Sequence, residues 1–196
     1  MPSSSRRAVL SSRNPHKAHE LERLLPGWTI DPLDRDDYPA ETGATYVENA
    51  RAKAAFGHEH AAGGVWALGE DSGIEVEALD GRPGVLSARY APEGAAAIAK
   101  LLGELDGVPA ARRRARYVSE LVAVSPDGEQ VRGTGTLEGR IAGEPRGHEG
   151  FGYDPVFVPD GEERTVAELG NEWKSRNSHR ARAARALLEA LDAAGA

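Results

Sequence analysis

Residues 8–17 have the sequence AVLSSRNPHK. Its first three residues are apolar and compact, which is typical of a buried strand. Asn14 is a favourable helix N-cap, Pro15 is a favourable first helical residue, and apolar residues follow at helical spacing through Leu25. The stretch therefore predicts a strand, a turn and a helix in succession, which is the opening unit of an α/β fold.

The same alternation continues through the first half of the chain. Thr45 and Glu48 have the spacing of a capping box, and an Ala-rich helix is expected to follow them. Residues 65–68 predict an apolar strand, and residues 69–73 predict a polar turn at its end. In residues 74–78 apolar and acidic side chains alternate, which predicts a half-exposed strand.

The second half of the chain adds a hairpin and further helices. Residues 117–124 and 130–137 are predicted strands, and they flank Ser125-Pro126-Asp127-Gly128, a strong turn sequence. Thr165 opens a second capping box, and Ser178 can cap a last helix. Because strands alternate with helices early and a hairpin comes later, we predict an α/β fold with a mixed sheet.

Length and composition exclude several classes of protein. A chain of 196 residues is most simply one domain, expected over residues 8–196 after a disordered tail over 1–7. Acidic residues outnumber basic ones 31 to 24, which argues against binding a nucleic acid polymer. Cysteine is absent, so thiolate chemistry is excluded. No apolar run approaches the ~20 residues of a membrane span, and the first residues lack a signal-peptide core. We therefore expect a cytoplasmic protein without membrane contact.

Two polar stretches could carry phosphate and metal chemistry. The junction between the first strand and helix places Ser12, Asn14 and Lys17 around a helix N-terminus, where free N–H groups favour phosphate. The alternative is an ordinary N-cap with a solvated lysine. Residues 70–73, Glu-Asp-Ser-Gly, could bind magnesium together with Glu41 or Glu48, with Asp71 as the base. The alternative there is a polar turn that ends a strand.

Two further stretches could receive a nucleobase. Residues 150–155, Gly-Phe-Gly-Tyr-Asp-Pro, place two aromatic rings between glycines, and an aromatic ring can stack on a base. Core packing beside a bend is the alternative. Lys174, His179 and Arg180 surround the start of the last helix, where a cation is unfavourable without an anion. A solvated basic helix end is equally open.

Taken together, these stretches resemble the inosine triphosphate pyrophosphatase family, which removes aberrant purine nucleoside triphosphates. The resemblance runs from about Ala8 to Ala190 and rests on five motifs in one order. They are SSRNPHK, ETGATYVENARAKA, EDSGIEVEALDGRPGVLSARYA, GFGYDPVF, and a lysine followed by SHR. The resemblance implies a long twisted mixed sheet flanked by helices, two lobes with a central cleft, and a homodimer. It also implies magnesium-dependent hydrolysis of ITP, dITP or XTP to the monophosphate and pyrophosphate.

The resemblance also assigns roles to individual residues. Asp71 would accept the proton of the attacking water, and Glu41 and Asp71 would bind magnesium. Phosphate would be held by Ser12, Arg13, Asn14, Pro15, His16, Lys17 and Lys53. Ser72 would touch the substrate. The base would be received by Phe151, Gly152, Tyr153 and Asp154, with Lys174, His179 and Arg180 completing the pocket.

Base choice is predicted from a hydrogen-bond contrast. Hypoxanthine and xanthine present an oxygen at position 6, whereas adenine presents an amino donor, so donors on His179 and Arg180 would select the former. Glu70, Ser175 and Asn177 depart from the commonest residues of the family. Two rival functions stay open: a pyrophosphatase for other modified nucleotides, and a non-catalytic nucleotide sensor.

Overall fold

The structure is a computed structural model that describes residues 6–12, 15–35, 37–92 and 94–195, with the backbone alone at Pro15 and His16. The described residues form the strands β1 (Arg6–Leu10), β2 (Trp28–Pro32), β3 (Trp66–Val76), β4 (Arg114–Val124), β5 (Gln130–Ile141) and β6 (Phe157–Pro159). The helices are α1 (Pro15–Leu24), α2 (Tyr46–His60), α3 (Ala95–Glu104), α4 (Val166–Asn177) and α5 (His179–Ala194). None of these helices is long and apolar enough to cross a membrane.

The strands form one mixed sheet in the order β2-β1-β3-β4-β5-β6. β1 is parallel to β2 on one side and to β3 on the other, whereas β5 and β6 are antiparallel. β4 and β5 are joined by the predicted turn, in which the N–H of Gly128 donates to the carbonyl of Ser125 at 3.0 Å. The predicted α/β fold with a mixed sheet flanked by helices is confirmed.

The direction of winding reverses at β1. The chain runs from β1 through α1 to β2 on one side, and then through α2 to β3 on the other. Loops at the carboxyl ends of parallel strands diverge at such a reversal, which leaves room for a ligand. β1 ends at Leu10, opposite Leu68, whereas β3 continues to Val76. Residues 69–71 therefore extend past the carboxyl end of β1.

The turn predicted at residues 69–73 is wrong, because β3 runs without a break through this stretch. The polar side chains of residues 69–73 suggested that the chain leaves the sheet and enters solvent there. Instead Glu70 and Asp71 are 1% and 5% exposed. The side chains of Lys17 and Lys53 neutralise them inside the protein. A strand can therefore carry two carboxylates through the interior.

The boundary of the predicted N-terminal tail is also wrong. β1 begins at Arg6, so Arg6 and Arg7 belong to a strand, paired with Trp28 and Thr29 of β2. The N–H of Arg6 donates to the carbonyl of Gly27 at 2.9 Å. Residues 1–5 lie outside the described residues. β6 is a strand that the sequence did not predict, since three residues are too few to show a period.

The predicted helix starts are confirmed. α1 begins at Pro15, and both capping boxes form, at Thr45 for α2 and at Thr165 for α4. In each box the threonine side chain accepts from the backbone N–H three residues on. α4 ends at Asn177, and Ser178 caps that end and directly precedes α5. These helix ends follow from residues within one turn of each other.

The chain divides into two compact units, each built from separate segments. Unit 1 comprises the described parts of 1–71, 119–135 and 180–196, and unit 2 comprises those of 72–118 and 136–179. In unit 1, α1 and α5 pack on the sheet through leucines such as Leu21 and Leu187. Unit 2 has its own core, centred on residues such as Leu101 and Phe157. The single domain over residues 8–196 stays a prediction.

Candidate active site

Three charged side chains of unit 1 meet past the end of β1 and form the carboxylate–lysine site (Glu41, Lys53 and Asp71). The Nζ of Lys53, on α2, lies in direct contact with Glu41 Oε1 and 2.9 Å from Asp71 Oδ1. It also donates to the backbone carbonyl of Glu70 at 3.1 Å. Two carboxylates from distant parts of the chain thus converge on one cation.

Burial and charge act against each other at this site. Burial would lower the pKa of Lys53, but the carboxylates of Asp71 and Glu41 outweigh it and raise that pKa above its ordinary value. Burial raises the pKa of Asp71, and Lys53 and Asn49 offset only part of the effect. Asp71 is therefore a stronger base than an exposed aspartate.

A glycine of β3 allows α2 to pack closely enough for Lys53 to reach Asp71. A Cβ on Gly69 would lie 2.1 Å from the carbonyl oxygen of Ala50 and 2.4 Å from the backbone nitrogen of Ala54. Any side chain at this position would push the helix away from the strand. Gly69 therefore brings α2 against the part of β3 that carries Asp71.

The second group of charges, also in unit 1, is the Glu70 cluster (Lys17, Glu20, Glu70, Ser119 and Arg180). Glu70, Ser119 and Arg180 are buried, and Lys17 and Glu20 are half-buried. Glu70 Oε2 lies 2.6 Å from the Nζ of Lys17, and Glu70 Oε1 accepts from Ser119 and Arg180 at 3.1 and 3.2 Å. Burial would raise the pKa of Glu70, but the charges of Arg180 and Lys17 lower it well below its ordinary value. Glu70 is therefore a fixed negative charge.

Arg180 is paired with two carboxylates of unit 1. Its guanidinium, in a residue only 1% exposed, donates to Glu20 at 2.7 Å as well as to Glu70. These contacts make Arg180 the counter-ion of two carboxylates in unit 1. The predicted role of Arg180 in the base pocket stays a prediction.

The predicted phosphate loop is described in part. Ser12 is half-buried, and its N–H donates to the carbonyl of Leu10 at 3.0 Å. Arg13 and Asn14 lie outside the described residues, and the backbone of Pro15 and His16 forms the first turn of α1. The side chain of Lys17 contacts Glu70, the residue that precedes Asp71 in β3. Lys17, the last residue of the predicted phosphate stretch, therefore belongs to the Glu70 cluster.

Unit 2 contains the Asp154 cluster (Tyr117, Phe151, Asp154 and Lys174). Asp154, 2% exposed, accepts from the Nζ of Lys174 at 2.7 Å and from the N–H of Phe151 at 2.8 Å. The hydroxyl of Tyr117 lies 3.3 Å from the same carboxylate. A Cβ on Gly150 would lie 2.2 Å from Asp154 Oδ2, so the glycine is required for this close approach. Asp154 therefore fixes the shape of residues 150–155, the glycine–aromatic loop.

The aromatic residues of unit 2 differ in what they present. Phe151 is 41% exposed, with the Nζ of Lys174 3.8 Å from its ring centroid. Tyr153 is buried, donates to the carbonyl of Ser87 at 3.0 Å, and has its pKa raised to about 12 by burial. His179 stacks on Tyr117 with centroids 4.5 Å apart. Phe151 is therefore the predicted aromatic residue with an accessible ring.

Two further predicted residues lie in β3 and in the glycine–aromatic loop. Ser72 follows Asp71 in β3 and is half-buried. Gly152 lies between the two aromatic residues, and its φ of 62° is in the left-handed region that glycine favours. Sequence reasoning assigned no site role to Asn49, Glu20, Ser119 and Tyr117. Glu20 lies one helical turn after Lys17, a spacing that could have indicated a shared face.

Fold and site together define a class of protein. It is an α/β protein in which charged side chains converge near the winding reversal of a mixed sheet, a place where such folds bind ligands. Its acidic oxygens suit a hard divalent cation, and its lysines suit a polyanion.

The comparisons with known proteins agree with this class. The Ham1 family model matches residues 8–190. The dITP/XTP pyrophosphatase of Deinococcus deserti is 45% identical, over 94% of this chain and 89% of that protein. The one of Symbiobacterium thermophilum is 47% identical over 97% of each. The Staphylococcus aureus Ham1 protein has a TM-score of 0.82 at 34% identity, covering 97% of this chain and 100% of that chain. This chain belongs to the Ham1 family, and the resemblance drawn from the sequence is confirmed.

Proposed function

We propose that this protein hydrolyses non-standard purine nucleoside triphosphates (dITP, ITP and XTP) to the monophosphate and pyrophosphate. The observation that carries the proposal is the carboxylate–lysine site, in a chain whose Ham1-family relatives are named dITP/XTP pyrophosphatases. Removal of such nucleotides would keep aberrant purines out of DNA and RNA.

Asp71 is the proposed base. Lys53 holds its Oδ1 and Asn49 holds its Oδ2, so the orientation of the carboxylate is set while further lone pairs stay available. Asp71 would take a proton from the water that attacks the α-phosphorus, and the bond to the pyrophosphate oxygen would break. The raised pKa of Asp71 brings it closer to the working pH, which favours proton transfer.

The residues present fit a magnesium ion. Glu41 and Asp71 already converge on one cation, the ammonium of Lys53, and their side chains are 30% and 7% exposed. Among the described residues no group of three or more potential protein ligands converges. Magnesium commonly uses one or two carboxylates and takes its other ligands from phosphates and water. We propose that Glu41 and Asp71 hold it, and when bound it would screen the negative charge of the triphosphate.

The cations of unit 1 are proposed to bind the triphosphate. Lys17 and Lys53 each neutralise a buried carboxylate and retain further N–H donors. Lys17 also lies in the first turn of α1, where backbone N–H groups favour an anion. Ser12, Arg13 and Asn14 precede this turn and keep their proposed phosphate role.

Unit 2 is proposed to recognise the base. The exposed ring of Phe151 offers a stacking surface, and Asp154 holds its loop in place. Lys174 and His179 are proposed donors toward the oxygen at position 6 of hypoxanthine or xanthine. Adenine would place its amino donor against these donors, which predicts its rejection. Ser72, Gly152 and Tyr153 are proposed to line the same substrate.

A substrate panel tests the function. Pyrophosphate release is measured with dITP, ITP, XTP, GTP, ATP and a methylated pyrimidine triphosphate in the presence of magnesium. We expect release from the first three, with kcat/KM at least about 100-fold above that for ATP. Preference for the pyrimidine would support the first rival function, and binding without release would support a sensor.

The substitution Asp71→Asn tests the base. Asparagine keeps the shape and an oxygen for Lys53 but cannot accept the proton, so kcat should fall about 10²–10⁴-fold. The circular dichroism spectrum is the control for folding and should match that of the unmodified protein. The melting temperature should fall somewhat, because the new NH₂ group faces the donor of Asn49. A folded variant with unchanged turnover would remove Asp71 from the mechanism.

We further propose, from the family resemblance, that the protein is a cytoplasmic homodimer. Light scattering at several protein concentrations checks the dimer, and fractionation of cells that contain the native protein checks the compartment. A mass equal to one chain at all concentrations would contradict the dimer.

A further inference from the structure

We propose that Asn49 is a positioning residue that holds Asp71 and the segment carrying Glu41 at the separation that the reaction requires. The proposal rests on the proposed function above. It concerns a side chain to which neither the sequence motifs nor the family resemblance assigned a role.

Asn49 is a buried amide with both of its ends used. The residue is 2% exposed, its Oδ1 accepts from the N–H of Gly43 at 2.8 Å, and its Nδ2 donates to Asp71 Oδ2 at 3.0 Å. A backbone N–H can only donate, so the oxygen of the amide must face Gly43. The NH₂ group must therefore face Asp71.

This orientation constrains the carboxylate of Asp71. Because Nδ2 of Asn49 is only a donor, Asp71 Oδ2 must present a lone pair to it. Lys53 makes the same demand on Oδ1, from 2.9 Å. Both oxygens of Asp71 are thus acceptors toward α2, and the helix sets the plane of the carboxylate.

Asn49 and Lys53 connect the same two parts of the chain. They are four residues apart on α2 and so share a face of the helix. Lys53 joins Asp71 to the carboxylate of Glu41, and Asn49 joins Asp71 to the backbone of Gly43, two residues further on. Two parallel connections therefore fix Glu41 against Asp71.

The contact with Gly43 is specific. A Cβ on Gly43 would lie 2.6 Å from Asn49 Oδ1 and 2.8 Å from the Cβ of Glu48, so the segment runs directly over the start of α2. The next N–H, of Ala44, donates to Glu48 Oε2 at 2.7 Å. The segment that carries Glu41 has no regular secondary structure of its own. The position of the segment beside α2 therefore depends on the side-chain oxygens of Asn49 and Glu48, which accept from its N–H groups.

Three variants separate positioning from stability. Asn49→Ala removes both hydrogen bonds, whereas Asn49→Asp keeps an oxygen for Gly43 and turns a second acceptor toward Asp71. Ser125→Ala is the matched control, because Ser125 is also buried in unit 1 and accepts a backbone N–H, that of Glu129, at 3.0 Å. For each variant we would measure kcat and KM for dITP, Mn²⁺ affinity by calorimetry, and hydrogen exchange of residues 39–45.

We expect kcat to fall about 10–100-fold in both Asn49 variants, with KM for dITP within about threefold. Mn²⁺ affinity should fall about 10-fold in Asn49→Ala. Exchange over residues 39–45 should rise in Asn49→Ala and stay close to normal in Asn49→Asp. Ser125→Ala should leave kcat, Mn²⁺ affinity and this exchange unchanged.

The outcomes are distinct from those of the substrate panel. If the unmodified protein fails to hydrolyse dITP, the proposed function is wrong, while exchange and Mn²⁺ affinity still test the positioning. Folded Asn49 variants with normal kcat, Mn²⁺ affinity and exchange would overturn the positioning role. If neither variant folds, Asn49 is a structural residue and the proposal is equally wrong.

Discussion

Buried charges are the decisive features at the scale of single residues. Glu70 and Arg180 are both almost fully buried, and each carries its charge into the interior of unit 1. Removal of one partner of such a pair is costly because the other charge stays buried without compensation. We therefore expect a loss of stability to be the main effect of removing the Arg180 side chain.

The substitution Arg180→Ala should lower the free energy of unfolding by about 3–5 kcal/mol, because Glu70 and Glu20 lose a shared counter-ion. Urea denaturation measures the loss. The exposed Arg182, two residues along α5, is the control, and Arg182→Ala should change stability by about 0.5 kcal/mol or less. Relaxed base choice in Arg180→Ala without loss of stability would instead support the predicted role of Arg180 in the base pocket.

At the scale of elements, the approach of α2 to β3 creates the carboxylate–lysine site. Gly69 permits this approach, and Asn49 and Lys53 on α2 then reach Asp71. Residues on one helix face thus meet a strand that extends past its parallel neighbour. The distance between the two elements decides whether the site exists.

The substitution Gly69→Ala should destabilise the protein by about 1–3 kcal/mol or more, because the new methyl group meets backbone atoms of Ala50 and Ala54. It should also lower turnover, since α2 must move away from Asp71. Gly63→Ala is the control, because nothing lies within 4 Å of the methyl group at that position. Thermal melting and pyrophosphate release measure the two effects, and equal behaviour of both variants would contradict the close packing.

At the scale of the whole molecule, stability should depend on pH through Glu70. Its charge is held by Lys17 and Arg180, on α1 and α5, and its pKa is well below the ordinary 4.5. A depressed pKa contributes stability that is fully present above the ordinary value and is lost as the pH falls toward the folded-state value.

The substitution Glu70→Gln tests this contribution. Denaturation with a chelator present should show the variant less stable than the unmodified protein at pH 7, since Lys17 and Arg180 lose their counter-charge. The difference should shrink as the pH falls below 4.5, because the unmodified protein then loses the contribution as well. A difference that stays constant from pH 7 to pH 3 would show that Glu70 stabilises the fold without its charge.

The local elements could be predicted from the sequence because their signals act within a few residues. The strand–turn–helix of residues 8–17, the capping boxes at Thr45 and Thr165 and the turn at 125–128 are all of this kind. The turn predicted at residues 69–73 is wrong because a polar stretch need not lie in solvent. Lys17 and Lys53, from other elements, neutralise its carboxylates inside the protein. The motifs did contain Glu41, Lys53 and Asp71, whose side chains converge in the structure.

Which of these side chains meet depends on the packing of segments that are distant in the chain. Asn49 and Asp71 are 22 residues apart in the chain, and Arg180 and Glu70 are 110 residues apart. Contacts over such separations depend on the order of the strands and on how closely a helix packs against them, and no local pattern encodes either. The sequence alone therefore determined the elements and the chemical types at the site, and packing determined the partner of each charge.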